Sequence, residues 1–235
     1  KENSAKTPML RFAKFTDVWK EKKLGEISQY SEDKISASKL NEYSFVGVDN
    51  LLPNLGGKLG SKYLPSKGNV SKYTTGDILH SNIRPYLKKA WLADSEGGSS
   101  ADVLVVQPND DVNRKFLFYQ ITSDSYFKYV MSGSKGIKMP RGDKGHIMKY
   151  KVVIPSLAEQ QKIVSFLESV DEFVENLRMQ KNDLQEYKKG IIQKVFAQEI
   201  RFKDANGKSF PKWEEKKLGE VLKERKEFSA KGKGY

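Results

Sequence analysis

The 235-residue chain is 37% hydrophobic, 11% aromatic and 31% charged, which is enough apolar material for one folded domain plus an appendage. It has no cysteine, which excludes disulfides, thiolate zinc sites and a cysteine nucleophile and is compatible with a reducing compartment. Its 42 Lys and Arg against 30 Asp and Glu leave a net charge of +12, favouring a polyanionic partner without naming it.

The first residues lack the apolar core of a signal peptide, and no apolar run reaches the roughly 18 residues that span a bilayer. The chain therefore reads as cytoplasmic, with no membrane partner. Leu10-Arg11-Phe12, followed by Trp19 and Lys22-Lys23-Leu24-Gly25-Glu26-Ile27, opens the first unit. Tyr43–Val48, Asp77–Ile83 and Asp102–Val106 then read as strands, from their β-branched and aromatic content between Gly, Pro and Asn punctuation. Asn113–Tyr119 and Ser125–Met131 read as helical turns, and Lys151–Ile154 as a last strand. The expected class is α+β.

After Pro155, Ser156-Leu157-Ala158-Glu159 has the form of a capping box, so a helix is expected to start there. Alternate steps of four and three from Ile163 reach Leu167, Val170, Val174, Leu177, Lys181, Leu184, Lys188, Ile191 and Val195, and eight of these ten positions are apolar. A helix from there to about Gln198 would be about 60 Å long and could not bury that stripe by itself, so it needs a partner helix. Its acidic Glu168, Asp171, Glu172 and Glu175 precede its basic Lys181, Lys188, Lys189 and Lys194, a polarity that favours an antiparallel partner. Beyond it, Ile200-Arg201-Phe202 and Trp213 through Lys216-Lys217-Leu218-Gly219-Glu220-Val221 repeat the opening, the two Trp lying 194 positions apart. This spacing is a domain duplication, of which the second copy is only begun at 199–235.

The positive charge is not spread evenly. Residues 1–155 hold 25 basic and 16 acidic groups, whereas 156–198 hold 6 and 7, so the polyanion binder is the globular part. Two windows each carry a surplus of +6. One holds Lys58, Lys62, Lys67, Lys72, Arg84, Lys88 and Lys89 with Asp77; the other holds Lys128, Lys135, Lys138, Arg141, Lys144, Lys149 and Lys151 with Asp143. The expected DNA-binding residues are Lys62, Lys67, Lys72, Ser81, Arg84, Lys88, Lys89, Lys135, Lys138, Arg141, Lys144 and His146, with Lys138, Arg141 and His146 reaching base edges.

Catalytic signals are weak. His80 and His146 stand 66 residues apart without metal-ligand spacing. Gly57-Lys58-Leu59 lacks the Ser or Thr that a phosphate loop places on magnesium. Gly133-Ser134-Lys135-Gly136 matches the short Gly-x-x-Gly of one RNA-binding class, which leaves an RNA-binding module open beside a non-catalytic coiled-coil adaptor.

Trp19–Ile27, Gly76–Lys89, Ser132–Gly136 and Ile154–Ile163 together resemble the specificity subunits of type I restriction-modification systems. The resemblance implies a target recognition domain at 10–155 and a spacer helix at 156–198. In that family two such units share a polypeptide, their helices pair antiparallel, and each domain reads half of a split site in double-stranded DNA. It further implies that methyltransferase subunits supply the S-adenosylmethionine chemistry. A restriction subunit using ATP and Mg supplies translocation and cleavage, leaving no cofactor and no catalytic residue in this chain. The sequence departs from the family in holding one complete unit. Ile163, Leu167, Val170, Val174, Leu177, Leu184, Ile191 and Val195 are accordingly the expected contacts of a homodimer or of a second specificity half.

Overall fold

The computed structural model describes residues 8 and 10–224. Two compact units are present, one ending at Glu172 and the other beginning at Phe173. Chain order is β1 (Lys20–Lys23), α1 (Leu24–Ile27), β2 (Ser28–Tyr30), β3 (Lys34–Ser36), β4 (Phe45–Val46), β5 (Asn69–Tyr73), β6 (Ile78–Ser81), β7 (Ala90–Leu92), β8 (Gly97–Ser99) and β9 (Val103–Pro108). There follow α2 (Arg114–Ile121), α3 (Asp124–Ser132), α4 (Lys144–Ile147), β10 (Lys151–Ile154), α5 (Leu157–Phe196) and α6 (Leu218–Val221). The α+β class is as expected.

In the first unit, one four-stranded sheet has the order β2-β9-β6-β7 and another the order β3-β5-β8-β4, while β1 pairs with β10. Among the described residues only the β4–β8 pairing is parallel. The apolar run Val103-Leu104-Val105-Val106 is explained by burial on both faces of β9. Leu104 and Val106 join Ile78, Phe127 and Val130 in a core against the helices, while Val103 and Val105 join Leu79, Tyr73 and Trp91 in a core between the sheets. Adjacent strand residues point to opposite faces, so β6 and β9 serve both cores at once.

The expected strand Tyr43–Val48 contracts to Phe45–Val46, because asparagine side chains hold the flanking backbone. Asn41 Oδ1 accepts from Tyr43 and Ser44 N–H groups at 2.9 Å, and Asn50 Oδ1 accepts from Gly47 N–H at 2.6 Å. β8, whose Gly97-Gly98 has little strand propensity, is a strand by packing alone. A side-chain carbon at Gly97 would stand 2.0 Å from the Ser44 carbonyl oxygen.

α5 begins at Leu157, one residue after Ser156, as the capping motif predicts. The Glu of that motif has a different partner. Glu159 is fully buried, and its two carboxylate oxygens accept from Arg11 Nε at 2.6 Å and Nη2 at 2.7 Å. Arg11 Nη2 also donates to the Asp17 carbonyl, two residues before Trp19, and Phe12 packs edge-on against Phe166. In the second unit Arg201 Nη2 likewise donates to the carbonyl of Pro211, two residues before Trp213. There α6 repeats the Leu-Gly-Glu turn of α1.

Candidate nucleic-acid interface

β6 ends in Ser81, and the chain then turns through Asn82, Ile83 and Arg84 into a single 3-10 turn, Pro85–Leu87. Arg84 and Lys88, on either side of that turn, both have φ of +50°, a left-handed conformation that a side chain keeps only where its surroundings hold it. Lys88 is held by Leu55 N–H, which donates to its carbonyl at 3.0 Å, and Arg84 by the loop after α3. Arg84 N–H donates to Pro140 O at 2.8 Å, Gly142 N–H donates to Asn82 O at 2.9 Å, and Ile83 bridges Arg141. Within the loop, Lys135 and Arg141 exchange two backbone hydrogen bonds of 2.9 Å. The fold thus joins the end of the first basic window to the middle of the second. Lys62 and Lys67 are exposed, but Lys67 precedes β5 and Lys72 lies within it, paired with β3 and β8. No hydrogen bond or ion pair among the described residues ties these three to the junction.

Most of the expected cations have partners. Lys88 Nζ stands 2.6 Å from Asp124 Oδ1 and holds that carboxyl below the usual carboxylate range. Lys89 Nζ donates to Val48 O at 2.6 Å, and Arg141 pairs with Asp102 at 2.7 Å. Lys144 sits over the Tyr30 ring at 5.8 Å. Arg84, Lys135 and Lys138 are exposed and make no side-chain hydrogen bond or ion pair among the described residues.

Two of the expected contacts have partners within the fold. Ser81 is buried, and its hydroxyl donates to Ile83 O at 2.8 Å, so it shapes the turn instead of facing a ligand. The His146 ring stacks on Tyr129 at 4.2 Å with an interplanar angle of 10°, and its Nε2 lies 3.1 Å from Tyr129 O. That imidazole braces α4 against α3. Asp143, the only acid of the second window, caps α4 by accepting from His146 N–H at 2.7 Å, a bond that lowers its pKa.

His80 is enclosed beneath the junction with Nε2 at 3.1 Å from Tyr126 Oη, and burial pushes its pKa down to about 4. It is a neutral core residue. Gly133 caps α3 and Gly136 turns a hairpin, so the Gly-x-x-Gly pattern does not join two helices as the RNA-binding class requires.

The sequence reading passed over three side chains at this junction: Ile137 at the tip of the loop, Met139 beside it and Tyr86 in the 3-10 turn are all exposed. Apolar residues scattered in a Gly- and Lys-rich segment carry no periodicity, so no pattern flagged them.

Residues 16–186, containing this whole junction, match the family described as the type I restriction modification DNA specificity domain. The chain belongs to that family. It is similar to the specificity subunit of the type I restriction enzyme MjaVIII of Methanocaldococcus jannaschii, 25% identical over 215 residues, which are 87% of this chain and 49% of that one. It also resembles the EcoDI specificity subunit of Escherichia coli, 25% identical over 130 residues, or 55% of this chain and 29% of the relative. Among solved structures, the HsdS subunit from Thermoanaerobacter tengcongensis superposes with a TM-score of 0.58 at 22% identity, over 82% of this chain and 51% of that one. A chain from a study of type I R-M complex assembly and conformational transition gives 0.61 at 22% identity, over 86% and 54%. The chain spans about half or less of the length of the relatives it matches.

Within this specificity-domain chain, the residues assigned to pairing divide in two. Ile163 and Leu167 are half-buried and line an open apolar groove with Leu10, Phe12 and Trp19. Val170, Val174, Leu177 and Leu184 are exposed, while Ile191 and Val195 are half-buried. Part of the acidic end of α5 is also engaged: Glu168 pairs with Lys115, and Tyr119 Oη donates to Asp171 at 2.5 Å. No helix among the described residues is long and apolar enough to cross a membrane.

Proposed function

We propose that this chain reads half of a split site in double-stranded DNA, as one unit of a type I specificity subunit, and carries out no chemistry itself. The observation that carries the reading is the hairpin 133–142 fastened to the turn 82–88, with Arg84, Lys135 and Lys138 exposed at their junction and without a side-chain hydrogen bond or ion pair among the described residues. Exposed cations on a loop closed by one bridge and fastened to the neighbouring turn suit phosphate contact beside a groove, because each phosphate they neutralise releases condensed counterions. S-adenosylmethionine chemistry, and cleavage driven by ATP with Mg, fall on this proposal to methyltransferase and restriction subunits. Replacing Ser132–His146 with the loop of a related domain, in cells that also carry the modification subunit, should change the methylated sequence. An unchanged sequence with weaker methylation would leave the loop only a positioning role and overturn the assignment.

The exposed stripe from Val170 to Leu184 suits a second α5-like helix, from another copy or another specificity half. With Glu168 and Asp171 engaged elsewhere and Glu175 in an exposed pair with Arg178 at 3.5 Å, Glu172 and Glu175 would face Lys181 and Lys188 of an antiparallel partner. Sedimentation at micromolar concentration should show a dimer. Reversing the charge of Lys181 and Lys188 should dissociate it, and reversing Glu172 and Glu175 as well should restore it. A monomeric wild-type chain would overturn self-pairing.

A further inference from the structure

The hairpin between α3 and α4 ends in an apolar tip. Ile137 is 100% exposed and Met139 52% exposed, although both belong to a loop whose backbone is fixed. Its base is closed by the paired bonds of Lys135 and Arg141, Ser134 Oγ donates to Val130 O at 2.8 Å, and Pro140 O receives Arg84 N–H. Gly136, at φ of +94°, makes the bend at the tip without strain. A single exposed apolar side chain needs no explanation. Here two of them crown a loop closed by the single bridge Lys135–Arg141 and fastened to the turn that carries Arg84, and Lys135 and Lys138 within that loop are exposed.

We propose that Ile137, assisted by Met139, reads thymine in the major groove by apolar contact with its C5-methyl group. The inference rests on the DNA-reading function proposed above and adds the chemistry of the reading. The major groove, about 12 Å wide, admits elements as broad as an α-helix, which leaves room for a loop closed by one bridge, and the thymine methyl is the apolar feature that base pairs present there. Lys135 and Lys138 would meet phosphates at the groove walls while the tip between them meets the floor. Of the three side chains that sequence alone favours for base contact, Arg141 pairs with Asp102 and His146 stacks on Tyr129, while Lys138 is exposed beside Ile137.

The test uses the full 235-residue chain and the duplex it prefers, selected from a randomised library. Replacing every thymine of that duplex by deoxyuridine removes only methyl groups. Wild-type affinity should fall about fourfold for each methyl contacted. The double variant Ile137→Ala, Met139→Ala should bind the thymine and uracil duplexes equally, with the salt dependence of the wild type and an unchanged Tm. Equal wild-type affinity for both duplexes, or a double variant that still discriminates, would overturn the proposal. So would a rise in 2-aminopurine fluorescence on binding without loss on the uracil duplex, which would make the tip a wedge between bases. A chain that selects no duplex at all fails the DNA-reading function itself, whereas one that selects a site yet ignores the methyl groups fails only this inference.

Discussion

The turn 84–89 and the hairpin 133–141 meet at one junction but hold their cations differently. In the turn, Lys88 is paired with Asp124 and Lys89 with the Val48 carbonyl, and only Arg84 is left unengaged. In the hairpin, Arg141 is paired with Asp102, while Lys135 and Lys138 stand in solvent. A cation that already has an internal partner must break that contact before it can neutralise a phosphate, so it contributes little to counterion release. Net charge along a segment therefore overstates its capacity to bind a polyanion, and the unengaged cations give the better measure.

The largest effect should come from setting the two groups against each other. Replacing Arg84, Lys135 and Lys138 together by Ala is expected to reduce the slope of log K against log salt by about 2.7, at roughly 0.9 per phosphate contact. The expected loss of affinity spans orders of magnitude at low salt. Replacing Lys88 and Lys89 together should leave the slope nearly unchanged and lower Tm slightly. A slope change as large for the second pair, measured by fluorescence anisotropy across a salt series, would break the distinction.

A smaller effect concerns the core beneath the turn. Burial holds the folded-state pKa of His80 near 4, against about 6.5 in an unfolded chain, so the unfolded state binds the proton more readily. The stability contributed by the neutral imidazole is fully present above about pH 6.5 and is lost as pH falls toward 4. The loss should reach about 3 kcal/mol, read as a fall in the urea midpoint at constant temperature. A His80→Asn variant should flatten that limb. An equally steep limb in the variant would place the titration elsewhere.

Much of this architecture was legible in the residues themselves. Asp102–Val106 read as a strand and Asn113–Tyr119 and Ser125–Met131 as helical turns, which the structure has as β9, α2 and α3, and Ser156 marked the start of α5. The candidate interface was less legible. Ser81 and His146 are polar residues in basic windows, and nothing local distinguishes them from Lys135 and Lys138. Ser81 is buried where β6 pairs with β9, and His146 stacks on Tyr129 of α3, so both outcomes depend on partners distant along the chain. β8 was hidden for a related reason, since a Gly-Gly strand forms only where neighbouring backbone approaches too closely for a side chain.

The sequence by itself determined the class of elements, the location of the positive charge and the duplication of the Leu/Ile-Arg-Phe and Trp segments, because these depend on local propensity, periodicity and composition. Only the tertiary structure decided which cations are free, where Glu159 turns and which side chains crown the hairpin. Those outcomes depend on long-range pairings, Arg11 with Glu159, Arg141 with Asp102 and Arg84 with Pro140, between residues that share no local pattern and meet only when the chain has folded.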